Sequence, residues 1–289
     1  LCSLLPLLKQ TSLHKMIIEA DLLRSNGNEY FKYVYGESVS SLFELPAKLI
    51  NENDFKLVEQ LFSQHDANKV NVFNLSLKTI SDISHPFNAK FLSRLLKSQN
   101  MNDRDITWTE FIRKKSDNLE SFISKFENEC RSSVANHTII AQKQHLVSKI
   151  ITWVLTSTNR KLRDEATRAL YFYGRKYPSD FALIVYESLE YNDPYVWERT
   201  LAALYGVVMA EHNSIKSDYF RTQVLPDLSK TIYRLLFKED APYSTTHILA
   251  RDYARRIIEI GLIHHPNLLT NLEIEKIRPP YTIGGIRDL

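Results

Sequence analysis

Between residues 158 and 176 the chain carries Arg160, Lys161, Arg163, Arg168, Arg175 and Lys176 against only Asp164 and Glu165. That local excess of +4 stands out in a molecule with 37 basic and 34 acidic residues, a formal charge of +3. Such a cluster can contact a phosphate backbone, because each cation that displaces a condensed counterion adds salt-dependent affinity. A solvated helix face has the same composition. Tyr171 and Phe172 interrupt the cations and could stud a concave binding surface. The candidate binding residues are therefore Arg160, Lys161, Arg168, Tyr171, Phe172, Arg175 and Lys176.

Three Arg-Asp dipeptides, Arg104-Asp105, Arg163-Asp164 and Arg251-Asp252, suggest a structural use. A guanidinium and a carboxylate can form bidentate hydrogen bonds, and such ladders can fix one repeat against the next. Spacings that would force a reaction are missing. The sequence has no G-x-x-x-x-G-K-[ST] or G-x-G-x-x-G nest for phosphates, no H-E-x-x-H and no G-x-S-x-G. His264-His265 is the only adjacent histidine pair, and helix neighbours point about 100° apart, which suits a polar helix end before Pro266 better than a shared metal. Glu187 and Glu190, at i and i+3, read as a solvated face rather than an acid and base. Cys2 and Cys130 lie too far apart in sequence to suggest a zinc motif. No catalytic residue, cofactor or metal is expected.

The elements that hold these residues are expected to be helices. Only 7 of 289 residues are glycine, too few for many strands joined by tight turns. Leu162, Ala166, Ala169, Leu170 and Tyr173 fall at steps of 0, 4, 7, 8 and 11, one face of a helix. Val196, Thr200, Ala203, Leu204 and Val207 repeat those steps at an offset of 34, and Ala250, Ala254, Ile257, Ile258 and Gly261 at an offset of 88. Segments with cap-forming residues precede each set: Thr156-Ser157-Thr158-Asn159, Tyr191-Asn192-Asp193-Pro194 and Ser244-Thr245-Thr246. A second helix through Phe181, Ile184, Val185 and Leu189 makes the unit a pair.

The expected fold is all-α, an α-solenoid of HEAT-like helical hairpins with a less regular N-terminal helical part. The expected domains are 1–100, helical and unassigned to a repeat; 101–275, the solenoid; and 276–289, an extended Pro- and Gly-containing tail. Polar breaks are expected at Ser25-Asn26-Gly27-Asn28, Asn51-Glu52-Asn53-Asp54 and Ser84-His85-Pro86. The long interval before the third stripe predicts an inserted helical stretch around 220–225 and 232–236. The apolar opening Leu1–Lys9 reads as a core helix remnant, too short to span a bilayer. A first residue other than Met predicts a piece of a longer protein.

Four blocks carry a family resemblance: the run 153–170 beginning Trp153-Val154-Leu155, then Asn192–Arg199, His247–Arg255 and Ile277-Arg278-Pro279-Pro280-Tyr281. In this order they resemble large bacterial ATP-binding proteins of the STAND class, the NACHT-like antiviral ATPases, over about residues 100 to 285. The resemblance implies a cytoplasmic helical-repeat sensor or scaffold without catalysis of its own. Its ligand would be a protein, either a phage protein or other domains of the parent chain, and the membrane would play no part. The ATPase would lie elsewhere in the parent, since no nucleotide motif occurs here. The alternative reading is a nucleic-acid-binding HEAT-repeat protein that uses the patch at 160–176.

Overall fold

The computed structural model describes Met16 and residues 39–132, 138–215 and 217–279. Among these every regular element is helical and no strand occurs. None of these helices is long and apolar enough to cross a membrane. The opening Leu1–Lys9, the break at 25–28 and the tail from Pro280 onward lie outside the described residues, as does Cys2. The chain divides into two compact units, one of residues 1–111 and 138–150, the other of 112–137 and 151–289.

The first unit is built on aromatic packing. Helix α1, Glu52–Gln64, begins with a capping box in which Asn51 accepts from the Asp54 amide and Asp54 accepts from the Asn51 amide at 2.7 Å. The residues expected to break the chain here instead start a helix. Helix α2, Asp66–Thr79, packs on α1, and α3, Ala89–Ser98, packs on α2. Phe73 meets Trp108 edge-on at 5.2 Å, and both are fully buried. In the expected loop at 84–86, buried His85 accepts from the Phe87 amide through Nδ1, so its Nε2 proton is available to the Phe43 carbonyl 3.0 Å away. A helical run over 101–114 starts at the N-cap Asn100 and contains a π turn, Asp105–Thr109.

In the second unit the helices form a row. Helix α4 is Ser116–Arg131, and α5, Thr138–Val154, contributes residues 138–150 to the first unit. Then come α6 Arg160–Lys176, α7 Pro178–Ser188, α8 Pro194–Glu211, α9 Leu225–Leu236, α10 Ile248–His264 and the short α11 Asn271–Lys276. Within the row α4 packs on α6, α6 on α8, and α8 on α10. Helix α7 contacts both α6 and α8, while α9 lies on α10. All three sequence stripes are buried, from Leu162 through Tyr173, Val196 through Val207 and Ala250 through Gly261. Each large apolar member contributes about 1.5–3 kcal/mol by leaving water. Beside the first stripe, buried Gly174 marks a close approach: a Cβ there would lie 2.5 Å from Phe181 and 2.7 Å from Val207.

The interval of 54 between the second and third stripes contains no extra helix pair. One helical stretch over 218–236, including a π turn at Phe220–Val224, lies between α8 and α10 in chain order, as α7 lies between α6 and α8. The added residues lengthen that stretch, which is 19 residues against 11 in α7, and the connection at 237–247.

The entries to α6, α8 and α10 share one anchor. Four residues past each N-cap, a side-chain N–H donates to the backbone carbonyl six residues upstream: Arg163 to Ser157, Trp197 to Tyr191 and Arg251 to Thr245. In the first and third cases the residue that offers this carbonyl also accepts the N-cap amide on its hydroxyl, Ser157 from Asn159 and Thr245 from His247. The third cap is His247 itself, whose Nδ1 accepts from the Ala250 amide at 3.3 Å, rather than any residue of Ser244-Thr245-Thr246. Buried Arg104 stands at the same spacing from the N-cap Asn100.

Candidate binding face

Helix α6 carries all seven candidate residues because Asn159 fixes its start, accepting from the Lys161 and Leu162 amides. The stripe then faces inward, and the cations are left on the flanks and outer face. Arg160 is the most open, its side chain 85% exposed and 3.6 Å from Asp164. Lys161 donates to Glu120 of α4 at 2.6 Å, and that hydrogen bond holds its ammonium above the usual lysine range. Arg168 donates to Glu127 at 2.8 Å, and Arg131 reaches the other oxygen of the same carboxylate at 2.5 Å. Glu127 is itself buried, so the two guanidinium groups replace the water it gave up. Arg175 donates to Glu211 of α8 and to the Tyr171 hydroxyl. Lys176 reaches the carbonyls of Glu129 and Ser132 at the end of α4, where the helix dipole favours a cation.

The aromatics join this network. The Arg131 guanidinium lies 3.8 Å over the Phe172 ring, and Tyr171 meets Phe172 edge-on at 4.9 Å. Tyr171 and Phe172 are half-buried, whereas Tyr173 points into the core. An open groove of about 880 Å³ runs between α4 and α6, lined among others by Glu120, Ser121, Lys125, Asn128, Glu165 and Arg168. Its walls carry both signs of charge.

Carboxylates from other helices thus offset the basic excess of the linear segment. Glu120, Glu127 and Glu211, with Arg131, are the site residues that sequence reasoning missed. Only the Glu127 to Arg131 pair, at i and i+4, left a local signal. The candidate Arg-Asp positions separate into different roles. Arg163 and Arg251 anchor the loops before their helices, and Arg163 also covers the Tyr195 ring at 4.6 Å. Asp164 accepts from Arg199 of α8 at 2.6 Å, a link between successive helices of the row. Asp252 stays within α10, bonded to Arg255 and Arg256. Asp105 accepts from Thr109 one turn on.

Among the described residues no three or more His, Cys, Asp or Glu side chains gather as a metal site would require. Glu187 accepts from the Tyr191 hydroxyl at 3.2 Å. Cys130 is buried, and its thiol is pushed up to about 12 by desolvation. The class defined so far is an all-helical protein with a mixed-charge, arginine-aromatic face on a row of packed helices. No protein-family model, curated protein or solved structure matches the chain.

Proposed function

We propose that the second unit is a HEAT-like α-solenoid segment that binds a protein ligand without catalysing a reaction, as the sensor or scaffold part of a STAND-type antiviral ATPase. The observation that carries this reading is the charge-balanced face of Tyr171, Phe172, Arg131, Arg168 and Arg175. Tyrosine, phenylalanine and arginine in a partly desolvated cluster are the residue types enriched where protein interfaces concentrate binding energy. A polyanion would instead have to displace Glu120, Glu127 and Glu211 from their cations. The repeated anchors at α6, α8 and α10 support the repeat assignment, and the four sequence blocks support the STAND relationship.

The test is retention of phage structural proteins by the immobilised chain, together with defence by the parent protein after deletion of this segment. Retention that Tyr171→Ala with Phe172→Ala weakens at least tenfold, about 1.4 kcal/mol, is expected. No partner retained and no loss of defence would overturn the proposal. The exposure of Arg160 and Lys161, at 85% and 64% of their side chains, leaves nucleic-acid binding as a second reading. It requires affinity that falls steeply with salt and disappears in Arg160→Ala with Lys161→Ala.

A further inference from the structure

The end of α10 meets the end of α8 and the π turn at three histidines. His264 packs edge-on against His212, with ring centroids 5.7 Å apart. His212 Nε2 lies 2.9 Å from the Asn213 side-chain amide nitrogen. His265 Nε2 lies 2.7 Å from the Arg221 carbonyl and donates to it. That carbonyl belongs to the π turn, where the Leu225 amide bonds to Phe220 instead, and π turns recur at functional positions. The Nε2 of His264 is buried and has no hydrogen-bond partner.

The surroundings of His264 all disfavour a second proton. Desolvation acts most strongly, and the neighbouring His212, Arg221 and His265 act in the same direction, so the group is held below the ordinary histidine value. The carboxylates of these segments are engaged elsewhere: Glu211 accepts from Arg175 and Ser217, and Asp218 lies 3.5 Å from Arg221. A proton arriving on His264 therefore places a charge beside a guanidinium and two imidazoles, with no acceptor for its buried N–H.

We propose that this junction is an acid-sensitive latch, closed while His264 is neutral and released when the ring is protonated, by movement of the π turn and the end of α8 at His212 away from the end of α10. The inference is independent of the proposed ligand. Its sign follows from linkage. A histidine depressed in the closed state takes up its proton more readily in the open state, so closure is favoured above the ordinary value of 6.5 and weakens as pH falls below it.

The test is amide hydrogen exchange on the full chain at about pH 7.5 and about pH 5.5, corrected for intrinsic rates, with opening expected to rise several-fold and by at most about tenfold, the limit set by an acid arm one unit below the ordinary histidine value. The rise should fall on 217–225 and 258–265 and spare the middle of α6, and His264→Gln should abolish it. Equal opening at both pH values, or a response that survives in His264→Gln, overturns the proposal. Should that variant fail to fold, titration of the histidine ring protons in the unsubstituted chain decides: a His264 value at or above 6.5 overturns the latch, and one below it, with opening that follows its titration, supports it.

Discussion

Glu127 shows how one buried carboxylate organises a surface. It draws in Arg131 and Arg168 from two helices, and Arg131 in turn covers Phe172. Glu127→Ala would leave two half-exposed cations that water can reach but would break one of the links between α4 and α6. The expected loss, discounted for their exposure, is about 1–2 kcal/mol by urea denaturation. Glu127→Gln should lose less, because the amide oxygen still accepts one bond. Cys130 gives a second expectation at this scale. With its thiol raised to about 12, it should resist alkylation at neutral pH in the folded chain and react only after unfolding, as mass spectrometry would show. Neither environment was legible beforehand. Lys161 and Arg168 each stand 41 residues from their carboxylate partners, and Arg175 stands 36 from its own, so a window of charge along the chain records one side of each pair.

At the scale of the helix the sequence was far more informative, because the steps that define a buried stripe lie within three turns of one element. Every member of the three stripes is buried. Ala169→Asp should therefore unfold its unit by burying an unpaired carboxylate between helices, and an unchanged melting temperature would refute the core assignment. Gly174→Ala sets two effects against each other. Alanine gains up to about 1 kcal/mol in helix propensity, but overpacking a dense core typically costs about 1–3 kcal/mol. With Phe181 and Val207 both within 2.7 Å of the new methyl, overpacking wins and a net destabilisation is expected in thermal melts. The third helix start lies one residue beyond the expected Ser244-Thr245-Thr246, because histidine is an uncommon cap. It serves here since Nδ1 can accept an amide as a serine oxygen does. Periodicity counts residues, not helices, so the interval before the third stripe has the look of an insertion in the sequence. A longer second helix and a longer connection after it widen the interval without altering the order of elements.

For the whole molecule the legible part was the helical class, through scarce glycine and the 3.6-residue spacing. The division into two units was less so. Residues 138–150 belong with the first unit although 112–137 belong with the second, and a boundary sought as one point along the chain misses such an exchange.

The anchors at the starts of α6, α8 and α10 ask of a side chain only that it deliver one N–H to one carbonyl. Arginine does so while bringing a positive charge to the edge of the row, and tryptophan does so while bringing none. The electrostatic character of that edge can thus be reset unit by unit, with the mechanical joint beneath it left in place. Two guanidinium groups flanking a neutral indole are the pattern written into this chain, with Arg251 and Trp197 buried and Arg163 half-buried, so the joint changes its charge from helix to helix without changing its hydrogen bond.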